Sequence, residues 1–277
     1  MKRILPFAIV IAVIVFVASC SKSSDSNYND PCGGSAPGGL VSLLISTDQD
    51  IQMGQQTRDY VESDSSGMKI LDSAKNVAAY AHIYRMRDTI LNSGKVYYKD
   101  VFPWRIRIIK DDSTLNAFCT PGGFIYVYTG IIKYLDNETQ LAGVMGHEMA
   151  HADRRHSAKS MIEQYGLVSL LSIITGGNPG QIASLSANLV LLKYSRDHET
   201  EADDYSVRFL YPTVYDPRGA KYFFEKIGSQ GVPAFLSTHP DPGNRVTAIT
   251  AKWTCLGGRS DGQTFDSRYA QFKALLP

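Results

Sequence analysis

His147-Glu148-Met149-Ala150-His151 limits what this chain can fold into more than any other stretch. On a helix, residues four apart lie about 40° apart around the axis, so the two imidazoles share a face. That spacing suits two nitrogen ligands of a tetrahedral metal ion. Glu148 follows the first ligand directly and is placed for acid–base work beside the metal. The flanks favour a helix: Asp136 or Asn137 offers an N-cap, and Glu138 puts negative charge in the first turn. Arg154, Arg155 and His156 put positive charge at the end, and Leu141, Val144 and Met145 give an apolar face. A helix of this composition has to be buried, so the rest of the chain must wrap it.

Ser195-Arg196-Asp197-His198-Glu199-Thr200-Glu201-Ala202-Asp203 supplies carboxylates at helical spacing. Glu199 and Asp203 are four apart and share a face. Beside two imidazoles, Glu199 completes three protein ligands and leaves a fourth position open. Asp203 is placed to accept a hydrogen bond from a ligand histidine, fixing its tautomer. Glu201 lies about 200° from Glu199 and reads as solvated or salt-bridged; His198 is about 100° off the ligand face. The competing reading is a plain acidic, solvated helix face.

Residues 1–19 read as a lipoprotein signal peptide. Lys2 and Arg3 supply the charged start, and 4–17 is an apolar run shorter than a membrane span. Val17-Ala18-Ser19-Cys20 resembles a bacterial lipobox, which implies cleavage before Cys20 and lipid on that residue. The alternative is an uncleaved signal anchor. Ser21, rather than Asp, at the next position points to the outer membrane under enterobacterial sorting. Residues 20–39 are rich in Ser, Asn, Asp, Gly and Pro and read as the lipidated Cys20 and a flexible tether. The expected setting is the bacterial cell envelope, periplasm-facing, with a lipid anchor to a membrane the domain does not cross.

Residues 40–277 are enough for one large domain with a real core. The chain carries 28 Lys and Arg against 27 Asp and Glu, and losing Lys2 and Arg3 with the leader leaves 26 against 27. No basic stripe is visible, so nucleic acid is not an expected partner. Apart from Cys20, Cys32, Cys119 and Cys255 remain. In an oxidising compartment one disulfide is possible, and Cys32 with Cys255 is the expected pair. No CxxC is present to suggest zinc held by thiols.

Ser46-Thr47-Asp48-Gln49 reads as a capping box opening a helix to about residue 63, and 69–91 as a second long helix. On that helix His82 reads as an ordinary residue. Residues 104–110 alternate as a strand, and 124–129 form another after the break at Thr120-Pro121-Gly122-Gly123. Residues 166–190 are unusually apolar, with halves 167–174 and 182–192 split by Gly176-Gly177-Asn178-Pro179-Gly180. Each half is too short to span a bilayer, so a core helical hairpin is expected; the sharper alternative is a lid, or a surface that meets membrane or a partner.

HEMAHADRRH at His147 to His156 and SRDHETEAD at Ser195 to Asp203 resemble metallopeptidase family forty-eight, whose pattern is HExxHxxxRH followed by a Ser-Arg-led ExxxD. Asn116 to Val127 is similar to the family's strand before the zinc helix, with Cys119 where an aliphatic residue is more usual. Ser237-Thr238-His239-Pro240 leading to Arg245-Val246 is similar to its THP…R segment. The likeness runs over residues 43–253, and its small lipoprotein form is the expected type. It implies an α+β, mostly helical, gluzincin-type zinc protease domain with a small β-sheet beside the HExxH helix. It also implies one zinc ion per chain on His147, His151 and Glu199, with Glu148 as catalytic acid and base. The matching His239 either assists the reaction or caps the metal, while Arg245 and Arg196 are candidate partners for site carboxylates. An edge strand in 116–123 would hold the substrate backbone, with protein or peptide substrates recognised through extended pairing. The expected activity is endopeptidase cleavage of cell-envelope proteins, in quality control of misfolded or unassembled chains. The rival is a zinc-stabilised chaperone or assembly factor, non-catalytic or latched.

Overall fold

α1 (Val41–Leu44) leads into α2 (Thr47–Val61), which opens with the expected capping box: Ser46 Oγ accepts from Gln49 N–H and Gln49 Oε1 accepts from Ser46 N–H. The computed structural model describes residues 32–228, 233–240 and 243–277, and residues 37–277 cluster as one unit. The expected signal peptide, Cys20 and the tether up to residue 31 lie outside the described residues.

The second helix is shorter than its periodicity predicts. α3 spans Val77–Leu91. Residues 69–71 are extended instead and pair with the first strand: Leu71 N–H donates to Ile108 O at 2.8 Å, and Lys110 N–H to Lys69 O at 2.7 Å. Asp72 then turns the chain by accepting the Ala74 N–H. A waiting sheet edge outcompetes the helical spacing of Ile70 and Ala74.

Three strands follow, β1 (Arg105–Ile109), β2 (Ala117–Thr120) and β3 (Phe124–Tyr128), in the order β1-β3-β2. β1 runs parallel to β3, with Arg105 opposite Phe124, and β2 runs antiparallel, with Ala117 opposite Val127. β2 is therefore an edge strand, as its segment was expected to be. The β2–β3 turn carries Gly122 and Gly123 at φ 74° and 78°, backbone that other residues adopt only with strain.

After the short α4 (Thr129–Tyr134) comes α5 (Glu138–Asp153), in which every residue is buried. Asn137 caps it, its Oδ1 accepting from Gln140 N–H. α6 (His156–Tyr165) begins after Arg155 turns the chain at φ 59°. The apolar stretch forms a helical hairpin, α7 (Leu167–Gly176) and α8 (Pro179–Val190), over a small core of its own that includes Met161, Leu170, Ile174, Leu185 and Leu189. No described helix is long and apolar enough to cross a membrane.

α9 (Arg196–Leu210) and α10 (Gly219–Gly228) pack on α5, followed by α11 (Pro233–Thr238), α12 (Arg245–Cys255) and α13 (Asp266–Ala274). The domain is thus mostly helical with one small sheet. Its main core joins Leu141, Val144 and Met145 of α5 to Ile106, Ile125 and Val127 of the sheet and to Phe209 and Phe223. Cys32 and Cys255 are each disulfide-bonded, and Cys119 is a free, buried thiol.

Candidate metal centre

α5 presents His147 and His151 on one face, as their spacing requires, and α9 crosses it with Glu199 opposite. His147 Nε2 and His151 Nε2 lie 3.0 Å apart, and Glu199 is 3.4 Å from the first and 3.3 Å from the second. His239, directly after α11, joins them: its Nδ1 lies 3.3 Å from His147 Nε2 and 3.1 Å from Glu199 Oε1. All four side chains are buried.

These spacings test whether zinc fits. Bonds of about 2.0–2.1 Å to a tetrahedral ion imply ligand–ligand edges of about 3.3–3.4 Å. The five edges given above run from 3.0 to 3.4 Å. Three imidazoles and one carboxylate are also a donor set zinc accepts. Polar atoms are left over around the same point: His239 Nε2 and both Glu148 oxygens are buried without a hydrogen bond. Such orphans are costly in a dry interior and mark a place built for a cation and a polar reactant. His239 thus stands among the possible donors, a position compatible with the capping alternative the resemblance offers.

The charges agree. Burial alone would lower the His147 pKa, but hydrogen bonds to Asp203 and Glu199 push it up to about 9 from its usual 6.5. Burial would raise Glu199, but His239, His151 and His147 hold it well below the carboxylate range. A buried imidazole facing two carboxylates is short of positive charge, which a dication supplies. Glu148 is held up by burial, against the pull of His239 and His147. Its Oε1 lies 3.3 Å from His239 Nε2 without hydrogen-bond alignment.

The side chains of this cluster are held from behind. His147 Nδ1 lies 2.9 Å from Asp203 Oδ1, the partner expected from the i,i+4 spacing. Arg245 grips Asp203 through Nε to Oδ2 at 2.7 Å and Nη2 to Oδ1 at 2.6 Å, and its guanidinium lies over the Phe224 ring at 3.7 Å. Arg245 Nη2 is also 3.1 Å from Glu199 Oε2. Arg196 sits exposed at the start of α9, with no ion pair to a site carboxylate among the described residues. Tyr194 stacks on His151 at 3.8 Å, and its hydroxyl meets Cys119 and Ser157. Phe235 stacks on His239 at 4.4 Å. His82 plays no part: it stacks on Phe272 at 4.1 Å and meets Glu138.

A buried helix carrying HExxH, a carboxylate from a second helix and an adjoining edge strand describe the catalytic domain of a zinc metallopeptidase. Residues 78–252 match the model of peptidase family M48, and the chain belongs to that family. The beta-barrel assembly-enhancing protease of Escherichia coli (strain K12) is 28% identical over 259 residues, covering 86% of this chain and 50% of that protein. The mitochondrial metalloendopeptidase OMA1 of Arabidopsis thaliana is 35% identical over 141 residues, covering 50% of this chain and 29% of that protein. That of Schizosaccharomyces pombe is 34% identical over 154 residues, covering 53% and 45%. The chain spans half or less of the length of these relatives.

Proposed function

We propose that this chain is a zinc-dependent endopeptidase, with His147, His151 and Glu199 holding the metal and Glu148 acting as acid and base. The observation that carries this reading is the Glu148 carboxylate, buried beside the donor cage with neither oxygen hydrogen-bonded. Zinc in that cage would supply Lewis acidity, polarising a scissile carbonyl and acidifying a water. Glu148, its proton affinity raised by burial, takes a proton from the attacking water and returns it to the leaving amine. Asp203 keeps the His147 lone pair aimed at the cage, and Arg245 keeps Asp203 in place. β2, an edge in the sheet order whose residues are buried in this closed state, would bind an extended substrate through its backbone once uncovered.

The latched reading has its own support. His239 completes the cage, and Glu148, Glu199 and His239 are all sealed from solvent. In this reading substrate reaches Glu148 when His239 is withdrawn. The resting protein is then a closed protease.

The substrates follow from the names of the relatives and from the leader. We infer envelope proteins, outer-membrane β-barrels among them, cleaved when misfolded or unassembled. In this reading residues 1–19 are a removed leader, Cys20 carries lipid, 20–39 are the tether and 40–277 the protease, anchored in the cell envelope and facing the periplasm.

The test measures zinc content and casein hydrolysis together for wild type, Glu148→Gln and His239→Ala. One zinc per chain is expected in all three. Hydrolysis should fall by about 10²–10⁴ in Glu148→Gln and rise above wild type in His239→Ala. Full hydrolysis by zinc-loaded Glu148→Gln would refute the catalytic assignment. Zinc without hydrolysis in every form would favour the binding factor.

A further inference from the structure

His147 is braced by a carboxylate, but the second α5 ligand is not. His151 Nδ1 lies 2.8 Å from His156 Nδ1, and His156 Nε2 lies 2.9 Å from Glu201 Oε2. Glu201 Oε1 in turn accepts from Arg154 Nε at 2.8 Å. Two imidazole nitrogens in contact need one proton between them, and the carboxylate settles where the other protons go. Glu201 accepts Nε2–H of His156, so Nδ1 of His156 carries a lone pair. That lone pair can accept only if His151 is protonated on Nδ1, which frees His151 Nε2 to face the cage.

We propose that His156 and Glu201 are positioning residues that fix the tautomer and ring plane of His151 through an imidazole relay. The chain builds this relay with a turn. α5 ends at Asp153, Arg155 adopts φ 59°, and His156 starts α6 folded back beneath His151. Stacking of His198 on His156, rings 4.4 Å apart and 12° from parallel, holds the second imidazole in plane. The brace is weaker than that of His147, because its charge lies one ring further away and Glu201 is 28% exposed. The inference rests on the proposed zinc site, but the tautomer can be read without metal.

The experiment uses the full chain as wild type, His156→Leu, His156→Gln and Glu201→Gln. In metal-free protein, nitrogen-15 NMR reads the His151 tautomer, and thermal melting reads the fold. Zinc affinity is then measured by chelator competition. Wild-type His151 should be protonated on Nδ1. His156→Leu should lose that preference and weaken zinc by about 10–100-fold. His156→Gln, whose amide oxygen can accept the same proton, should restore the tautomer and most of the affinity. Glu201→Gln should cost less than His156→Leu. The proposal is overturned if His156→Leu leaves the tautomer unchanged, or if Leu and Gln lose affinity equally with an equal drop in melting temperature. Failure of wild type to bind zinc, with the tautomers as described, would refute the metal site and leave the relay standing.

Discussion

Asp203 carries the strongest of the braces, since one carboxylate serves both His147 and Arg245 at distances of 2.6–2.9 Å. Burial would raise its pKa, but Arg245 and His147 hold it below its ordinary value, so it stays charged. Asp203→Asn keeps the shape and removes the charge. Zinc affinity is expected to fall by about 10–100-fold, measured by chelator competition, with one zinc still bound at saturation. An affinity within twofold of wild type would show that Asp203 does not orient His147. Residues of this kind are visible in a sequence because spacing within one helix determines them: His147 with His151, and Glu199 with Asp203. Glu148 needed only its neighbour. The relay behind His151 was hidden. Helical spacing marks Glu201 only as solvated or salt-bridged, and its bridge to His156 depends on a left-handed turn at Arg155 that no local pattern announces. His239 was legible only through family resemblance, for its place in the cage depends on α11 returning over α5.

At the scale of elements, the site depends on how closely α5 meets its neighbours. A Cβ on Gly143 would fall inside the backbone of Gly219 and Ala220, and one on Gly219 would meet Thr139 O. Ser206 Oγ donates to Gly143 O at 3.0 Å, so α9 and α10 converge on the same turn of α5. Gly143→Ala leaves helix propensity improved but pushes backbone against backbone. A loss of about 1–3 kcal/mol is expected, lowering the melting temperature by about 2–4 °C per kcal/mol for a domain of this size. Thermal unfolding followed by circular dichroism checks it; an unchanged or higher midpoint would mean the crossing can open without cost. Elements with local signals were readable: the capping box of α2, the strands, and the glycine-split hairpin of α7 and α8. The start of α3 was not. Ile70 and Ala74 keep helical spacing, yet the backbone of 69–71 bonds to β1, and long-range pairing overrides a local period.

Across the whole molecule, the N-terminus of α5 is fixed by a buried charge. Glu138 is buried and accepts from Arg85 at 3.0 and 3.1 Å, from Arg268 Nε at 2.7 Å and from Tyr215 Oη at 2.7 Å, with His82 Nε2 at 3.0 Å. Sequence alone marks Glu138 as a helix-end charge and nothing more. The partners come from α3, α13 and the loop after α9, and only the finished fold assembles them. Burial raises the Glu138 pKa, but hydrogen bonds from His82, Arg268, Arg85 and Tyr215 outweigh it and hold the group well below its ordinary 4.5. The folded state therefore binds fewer protons here than the unfolded chain. Its contribution is fully present above about pH 4.5 and is lost as the pH falls further. Glu138→Gln removes the charge while leaving both arginines, about a third exposed, without it. With the arginines partly hydrated, losing these charge-assisted hydrogen bonds costs about 1.5–3 kcal/mol. In metal-free protein, urea unfolding should show that deficit at pH 7, narrowing as the pH is lowered from 5 to 3 because the unfolded wild-type chain takes up a proton at this carboxylate while the folded one does not. A gap that stays constant over this range would mean Glu138 is not ionised in the fold, and that the closure of α3 and α13 onto the site helix rests on packing alone.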